Sequence, residues 1–174
     1  GVGQNPKSGV TFDYFLAKNA DTLELKLEVL ETGKVIRTIS SKKDKEFKSW
    51  EGGPSAPQVL PAKKGYNRFT WNFHREQLPG VENVFVHGGY SGSNVAPGNY
   101  TLRLTLENVG QSETEVVILT NPNVQSTPSD FKEQQAVLLQ IENTVRDIHG
   151  SVNNMRSAKS QLEAYAKLLK DTDS

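Results

Sequence analysis

The sequence contains no cysteine, no excess of charge of either sign and no long apolar run. The absence of cysteine excludes disulfide bonds, thiol nucleophiles and cysteine-based zinc sites. Lys and Arg together number 20, as do Asp and Glu, so no net charge draws the chain toward nucleic acid. No apolar run approaches the ~18 residues that a membrane-crossing helix needs. We therefore expect neither a nucleic-acid partner nor a membrane span.

The chain starts at Gly1, without a methionine and without a signal peptide. We therefore expect it to be a piece of a longer protein, preceded by a leader or by other domains. Its 174 residues are enough for one ordinary domain with an appendage.

Apolar and polar residues alternate through the first two thirds of the chain. Leu25, Leu27 and Val29, for example, are separated by charged residues, which is the period of a strand with one buried face. The predicted strands are 10–16, 23–29, 35–40, 69–73, 84–87, 100–106 and 115–119. Turn signals separate them and no helical crossover intervenes, so the pattern predicts an antiparallel, immunoglobulin-like β-sandwich. Residues 41–64 are predicted to form a long surface loop.

The densest group of aromatic and titratable residues is GYNRFTWNFHRE, from Gly65 to Glu76. Within it Trp71 alternates with Phe69 and Phe73, which predicts that all three point into the core. His74, Arg75 and Glu76 follow Phe73, and we expect them to lie beyond the end of the strand.

The pattern becomes helical from Thr127. Thr-Pro-Ser-Asp predicts a helix start, with Thr127 as the cap and Asp130 three residues later. Apolar residues then recur at alternating spacings of three and four, the a and d positions of a heptad. These positions, at which only Lys159 is not apolar, are Leu138, Ile141, Val145, Ile148, Val152, Met155, Lys159, Leu162, Ala166 and Leu169. Gly150 leaves two interpretations, one helix of about 40 residues or a hairpin broken near His149 and Gly150.

The g positions of this heptad are small or apolar, so the apolar face is wide and requires a partner surface. We expect that partner to be an upstream domain or a second copy of the chain. The residues predicted to meet it are Leu138, Ile141, Val145, Ile148, Val152, Met155, Leu162 and Leu169. The predicted organisation is then a disordered leader (1–9), the sandwich (10–124) and a coiled-coil-like helical segment (125–174).

No catalytic motif stands out in the sequence, and we predict no catalytic residue, metal site or cofactor. The three histidines lack the spacing of a metal site and are expected to be solvated. A carbohydrate-binding surface is the alternative function, and a stand-alone glycoside hydrolase, which needs two convergent carboxylates about 5–10 Å apart, is the third. The candidate residues of the carbohydrate-binding surface are Trp50, Tyr66, Tyr90 and His87, whose rings could stack on a glycan if they are exposed.

Several motifs together resemble a known family. They are Gly65-x-Asn67-Arg68-Phe69-x-Trp71-x-x-His74-Arg75, Ala96-Pro97-Gly98-x-Tyr100-x-Leu102-x-Leu104, Val117-Ile118-Leu119-x-Asn121-Pro122, the helix start Ser129-Asp130-Phe131, Val152-Asn153-x-Met155-Arg156 and Gln161-Leu162. The sandwich resembles the immunoglobulin-like module of the flagellar hook-capping type. With its helix it is similar to the C-terminal region of secreted bacterial proteins that carry sortilin-type or BNR-repeat β-propellers and are often labelled glycosyl hydrolases.

The resemblance implies export to the periplasm or outside the cell, and a non-catalytic accessory or interaction module that ends a large β-propeller protein. Any glycosidase activity would belong to the propeller, so no catalytic residue is carried over to this chain. Two positions depart from the family pattern: Asn72 stands where Asp is expected, and Asn121-Pro122-Asn123 where Asp-Pro-Arg is usual.

Overall fold

The protein is mainly β, with two antiparallel sheets followed by one long C-terminal helix. The computed structural model describes residues 3, 8–20 and 22–172, the last three as backbone only, so most of the predicted leader (residues 1, 2 and 4–7) lies outside the described residues. The elements are β1 (Val10–Leu16), β2 (Leu25–Glu31), β3 (Lys34–Ser40), β4 (Gly65–Trp71), β5 (Gly98–Leu106), β6 (Gly110–Ile118) and α1 (Pro128–Thr172).

Strands β1 and β4 form a two-stranded sheet, and the other four form a sheet in the order β3-β2-β5-β6. Strands β2 and β3 form an antiparallel hairpin. It turns at Thr32 and Gly33, whose φ angles of 48° and 80° are the positive values that a tight two-residue hairpin turn requires. We refer to the two sheets and their loops, residues 8–20 and 22–119, as the β-body.

Both sheets contribute to one hydrophobic core. Trp71 of β4 is fully buried, as its alternation with Phe69 predicts, and its indole N–H donates to the carbonyl of His74 at 2.9 Å. Facing residues of the four-stranded sheet complete the cluster. The buried members are Leu16, Leu25, Leu27, Val29, Ile36, Ile39, Leu60, Phe69, Trp71, Val95, Tyr100 and Leu102.

Three strand predictions need correction. The strand predicted at 84–87 is wrong: these residues belong to no strand and connect two turns, closed by hydrogen bonds from Val84 N–H to Val81 (3.1 Å) and from Gly89 N–H to Val86 (3.0 Å). Strand β4 ends at Trp71, because Phe73 has a φ of 64° and cannot continue the strand, although its ring still packs against the core. Strand β6 starts at Gly110, five residues earlier than predicted, because the polar segment before Val116 completes the pairing with β5.

The C-terminal helix is continuous, and the hairpin interpretation is wrong. α1 runs for 45 residues, about 68 Å, and passes through Gly150 without a break. Its start is the predicted cap: the Thr127 hydroxyl accepts from Asp130 N–H (3.2 Å) while the Asp130 carboxylate accepts from Thr127 N–H (2.7 Å). The hydrogen bond from Thr127 N–H lowers the pKa of the Asp130 carboxyl.

We expect Gly150→Ala to stabilise the protein by about 0.5–1 kcal/mol, because glycine disfavours a helix interior and a Cβ at this position would meet nothing within 4 Å. Urea unfolding followed by circular dichroism measures the change. Gly53→Ala is the control of opposite sign, since its Cβ would lie 2.5 Å from the Trp50 ring. A loss of stability in Gly150→Ala would contradict an open helix face.

Stability should fall as the pH rises from about 10 to about 12. Burial raises the pKa of Tyr14 and of Tyr100 to about 12, with Glu31 adding to the shift at Tyr100. Because an unfolded tyrosine releases its proton near pH ~10, the unfolded state binds fewer protons than the folded state in this interval. Tyr100→Phe should reduce the alkaline loss of stability, measured by urea unfolding across this pH range.

Candidate functional site

α1 has two faces of opposite character. The polar stripe consists of Gln135, Glu142, Arg146, His149, Asn153 and Arg156, and the apolar seam consists of Val137, Ile141, Ile148, Met155, Leu162, Tyr165 and Leu169. With about 100° of rotation per residue, the two sets lie on nearly opposite sides of the helix.

The polar stripe faces an irregular part of the β-body that we call the docking loop, residues 75–96. Main-chain bonds hold this loop at its two ends. Arg75 N–H donates to Ser93 (2.9 Å) and joins the two ends, Glu76 N–H donates to Ile36 of β3 (2.8 Å), and Val95 N–H donates to Phe73, just after β4 (2.9 Å). Between these anchors the chain contains Pro79 and Gly80 and belongs to no strand, so its carbonyl groups need other partners.

Four side chains of α1 supply those partners in sequence order. The Arg146 guanidinium donates to the carbonyls of Glu76 (2.7 Å) and Gln77 (3.1 Å). His149 Nδ1 lies 2.8 Å from the Pro79 carbonyl oxygen, and the Asn153 amide donates to the Gly80 carbonyl, also at 2.8 Å. Arg156 donates to the Glu82 carbonyl at 2.5 Å. The loop and the helix therefore run in the same direction, one contact after another.

Nearer its start the helix presents acceptors instead of donors. The Glu142 carboxylate, which is only 7% exposed, accepts from Ser93 N–H, and Gln135 Oε1 accepts from Ala96 N–H at 2.9 Å. The stripe thus hydrogen-bonds seven main-chain groups of the docking loop and its exit, five carbonyls and two N–H groups. A tilted contact between the Tyr90 and His149 rings, with centroids 5.6 Å apart, adds an aromatic interaction.

The apolar seam is exposed along its whole length. Its seven side chains are 55–70% exposed, and their partners at the a positions, Leu138, Val145 and Val152, are half-buried at the border with the β-body. The helix is therefore attached by its polar face and turns its apolar face to solvent. It cannot rotate to bury the seam on its own β-body without breaking the seven main-chain contacts.

The four predicted glycan-binding residues do not form one platform. Trp50 Nε1 (3.0 Å) and the Tyr90 hydroxyl (3.3 Å) both donate to the Val84 carbonyl, and Tyr90 is only 2% exposed, so the face of its ring is not accessible. His87 is exposed and meets Phe85 edge-on, with centroids 4.8 Å apart. Tyr66 lies elsewhere, on β4, 86% exposed beside Phe15.

An open cleft of about 620 Å³ lies beside Trp50, between the docking loop and the 41–64 segment. Lys48, Glu82 and Asn153 are among its lining residues. The Trp50 ring is held between Gly53 and Gly80, where an added Cβ would lie 2.5 Å and 2.8 Å from ring atoms. The ring therefore acts as a fixed wall of the cleft.

The expectation of solvated histidines is wrong for two of the three. His74 Nδ1 lies 2.6 Å from the Gly92 carbonyl oxygen, and His149 belongs to the polar stripe. The sequence interpretation missed the stripe as a whole, because its members occupy positions that are usually solvated. A signal was present: Gln135, Glu142, His149 and Arg156 recur every seven residues with long hydrogen-bonding side chains.

In the described part of the chain, no group of three or more His, Asp or Glu side chains could hold a metal ion. Within the same ranges, no helix is long and apolar enough to cross a membrane.

Comparison with known proteins gave no match to a family model, to a curated protein or to a solved structure. The hook-capping and β-propeller resemblance thus stays an expectation, and we infer function from the geometry of α1.

We expect Arg146→Met to lower the free energy of unfolding by about 1–3 kcal/mol, because two loop carbonyls lose their donor at a partly buried site. Amide hydrogen exchange should quicken in the docking loop and in the first half of α1. Lys167→Met is the matched control, since Lys167 lies three heptads further along the same line of the helix and is exposed. Equal effects of the two substitutions would contradict docking through the stripe.

Proposed function

We propose that this chain is a non-catalytic interaction module in which the β-body holds α1 so that its apolar seam binds another α-helix. The observation behind the proposal is the exposure of the seam, 55–70% at seven large apolar side chains, on a helix whose opposite face is fixed. Continuous apolar surface of this kind marks interaction sites on soluble proteins.

Burial of the seam contributes enough free energy to offset the cost of association. Full burial of one large apolar side chain contributes about 1.5–3 kcal/mol, so covering the exposed fraction of one seam residue contributes roughly 1–2 kcal/mol. Seven such residues give about 7–14 kcal/mol on this helix alone, before the partner's own side chains are counted. Association costs about 4–15 kcal/mol in lost translational and rotational freedom, which is the same range.

The spacing of the seam specifies the shape of its partner. Its residues follow each other at intervals of three and four, and the positions between them in that series are Thr144, Ser151 and Ala158. No charged residue lies in the whole series from Val137 to Leu169. An uncharged row that alternates large and small side chains is the surface on which another amphipathic helix packs in a coiled coil.

The proposal also covers the context of the module. The two antiparallel sheets and their shared core support an immunoglobulin-like sandwich, as does Tyr100, whose hydroxyl donates to the Ala96 carbonyl four residues upstream at 2.7 Å. In the proteins that the motifs resemble, this module ends a large exported β-propeller protein. We place the chain in the same role, as an accessory part whose helix contacts a neighbouring domain or subunit.

We expect Leu162→Glu to abolish association through the seam and, at dilutions where the chain is monomeric, to reduce the binding of a hydrophobic fluorescent dye. The substitution places a charge within an apolar surface, where burying it without a partner is unfavourable. Light scattering and dye fluorescence measure the two effects. Ser160→Glu is the matched control, two residues away on the opposite side of the helix and also exposed. If both variants behave alike, the seam has no role in binding.

A further inference from the structure

The seam alternates large and small side chains in a regular order. The large ones recur every seventh residue as Ile141, Ile148, Met155, Leu162 and Leu169. The intervening positions are Val137, Thr144, Ser151, Ala158 and Tyr165, of which the central three are small. A partner that fills this surface must place large side chains opposite the small ones, because protein interfaces pack as densely as interiors.

A second α1 helix in the antiparallel orientation meets this requirement, because its large side chains then lie opposite the small ones of the first. We propose that the helix covering the seam is α1 of a second copy of this chain, running antiparallel and centred near residue 153. The inference rests on the proposed function and names the partner of the same surface. In this register Met155 faces Ser151 of the second copy, Leu162 faces Thr144 and Ile148 faces Ala158. The outer layers join Ile141 to Tyr165 and Val137 to Leu169.

The three central pairings of the antiparallel pair thus each have one large and one small side chain, and the outer pairings join two apolar side chains. A parallel pair would place identical residues opposite each other. It would set Thr144 against Thr144 and Ser151 against Ser151, which leaves voids between layers crowded by Ile148 or Met155 pairs. Packing therefore favours the antiparallel arrangement.

Charge does not oppose the pairing. Of the positions that flank the seam on either side, only Asp147 and Lys159 carry a charge. In the antiparallel register Asp147 lies beside Gln161 of the second copy, and Lys159 lies beside Val145, so no like charges meet. The chain has a formal net charge of zero, and two copies do not repel each other at long range.

The β-body leaves room for the second helix. It occupies the polar stripe, on the side of α1 that points away from the seam, and the most C-terminal residue of that stripe is Arg156. From Ser157 to Leu169 every side chain of α1 is exposed. Most of the stability of a helix in a protein comes from packing of its apolar face. In the antiparallel pair this exposed segment lies against the docked half of the other helix, so each copy covers the exposed segment of the other.

Cysteine cross-linking tests the pairing, and the natural absence of cysteine makes the reaction specific. Thr144→Cys and Leu162→Cys are prepared as separate proteins of different tag length, mixed and mildly oxidised. We expect disulfide-linked heterodimers from the mixture and little linkage from either protein alone. In the antiparallel register the two copies of position 144 lie about 27 Å apart along the axis, whereas a disulfide needs Cα atoms within about 7 Å. The pair Ile148→Cys with Ala158→Cys gives the same test without altering Leu162.

Sedimentation equilibrium of the unsubstituted chain should give twice its mass of 19.2 kDa. Efficient self-linkage of Thr144→Cys alone would overturn the antiparallel arrangement in favour of a parallel pair. A monomeric mass with no linkage in either mixture would overturn the second copy as the partner. In that case the proposed function survives only if Leu162→Glu still lowers dye binding relative to Ser160→Glu, which separates the failure of one proposal from that of the other.

Discussion

The hydrogen bonds between the polar stripe of α1 and the backbone of the docking loop determine the arrangement of the whole molecule. A loop that contains Pro79 and Gly80 cannot satisfy its carbonyls in a sheet, and Arg146, His149 and Asn153 satisfy them from the helix. The same contacts fix the rotation of the helix about its axis. Because the polar face is used for attachment, the apolar face is directed outward.

Two physical forces are thus separated in space. Within the β-body, burial of side chains such as Trp71 and Leu27 stabilises the fold in the ordinary way. Between the β-body and α1, directional hydrogen bonds set position and orientation, and their net contribution per bond is small. The apolar seam of the helix contributes little burial within the chain, because its side chains are exposed. In an isolated copy, α1 is therefore held by geometry more than by burial.

The parts of the structure that depend on apolar periodicity could be predicted from the sequence. The strand alternation around Trp71, the cap at Thr127 and the continuous heptad through Gly150 all have a local signal. The residues of the docking loop carry no such signal, because carbonyl groups that accept side-chain hydrogen bonds leave no pattern in the loop sequence, and its apolar residues 84–87 predict a strand that does not form. The corresponding signal lies on the helix, in the seven-residue recurrence that includes Glu142 and His149. The direction of the apolar face also could not be predicted, since a heptad shows that a helix has two faces and not which of them meets the body.

The matching order of the contacts between α1 and the docking loop has a mechanical consequence. The hydrogen bonds follow the same order in both segments, from Glu76 to Glu82 on the loop and from Arg146 to Arg156 on the helix. A force that pulls the C-terminal end of α1 away from the β-body breaks them one at a time, beginning with Arg156. A force along the helix axis loads all of them together. The contact between α1 and the β-body therefore withstands a larger force along the helix axis than one that lifts the C-terminal end of the helix.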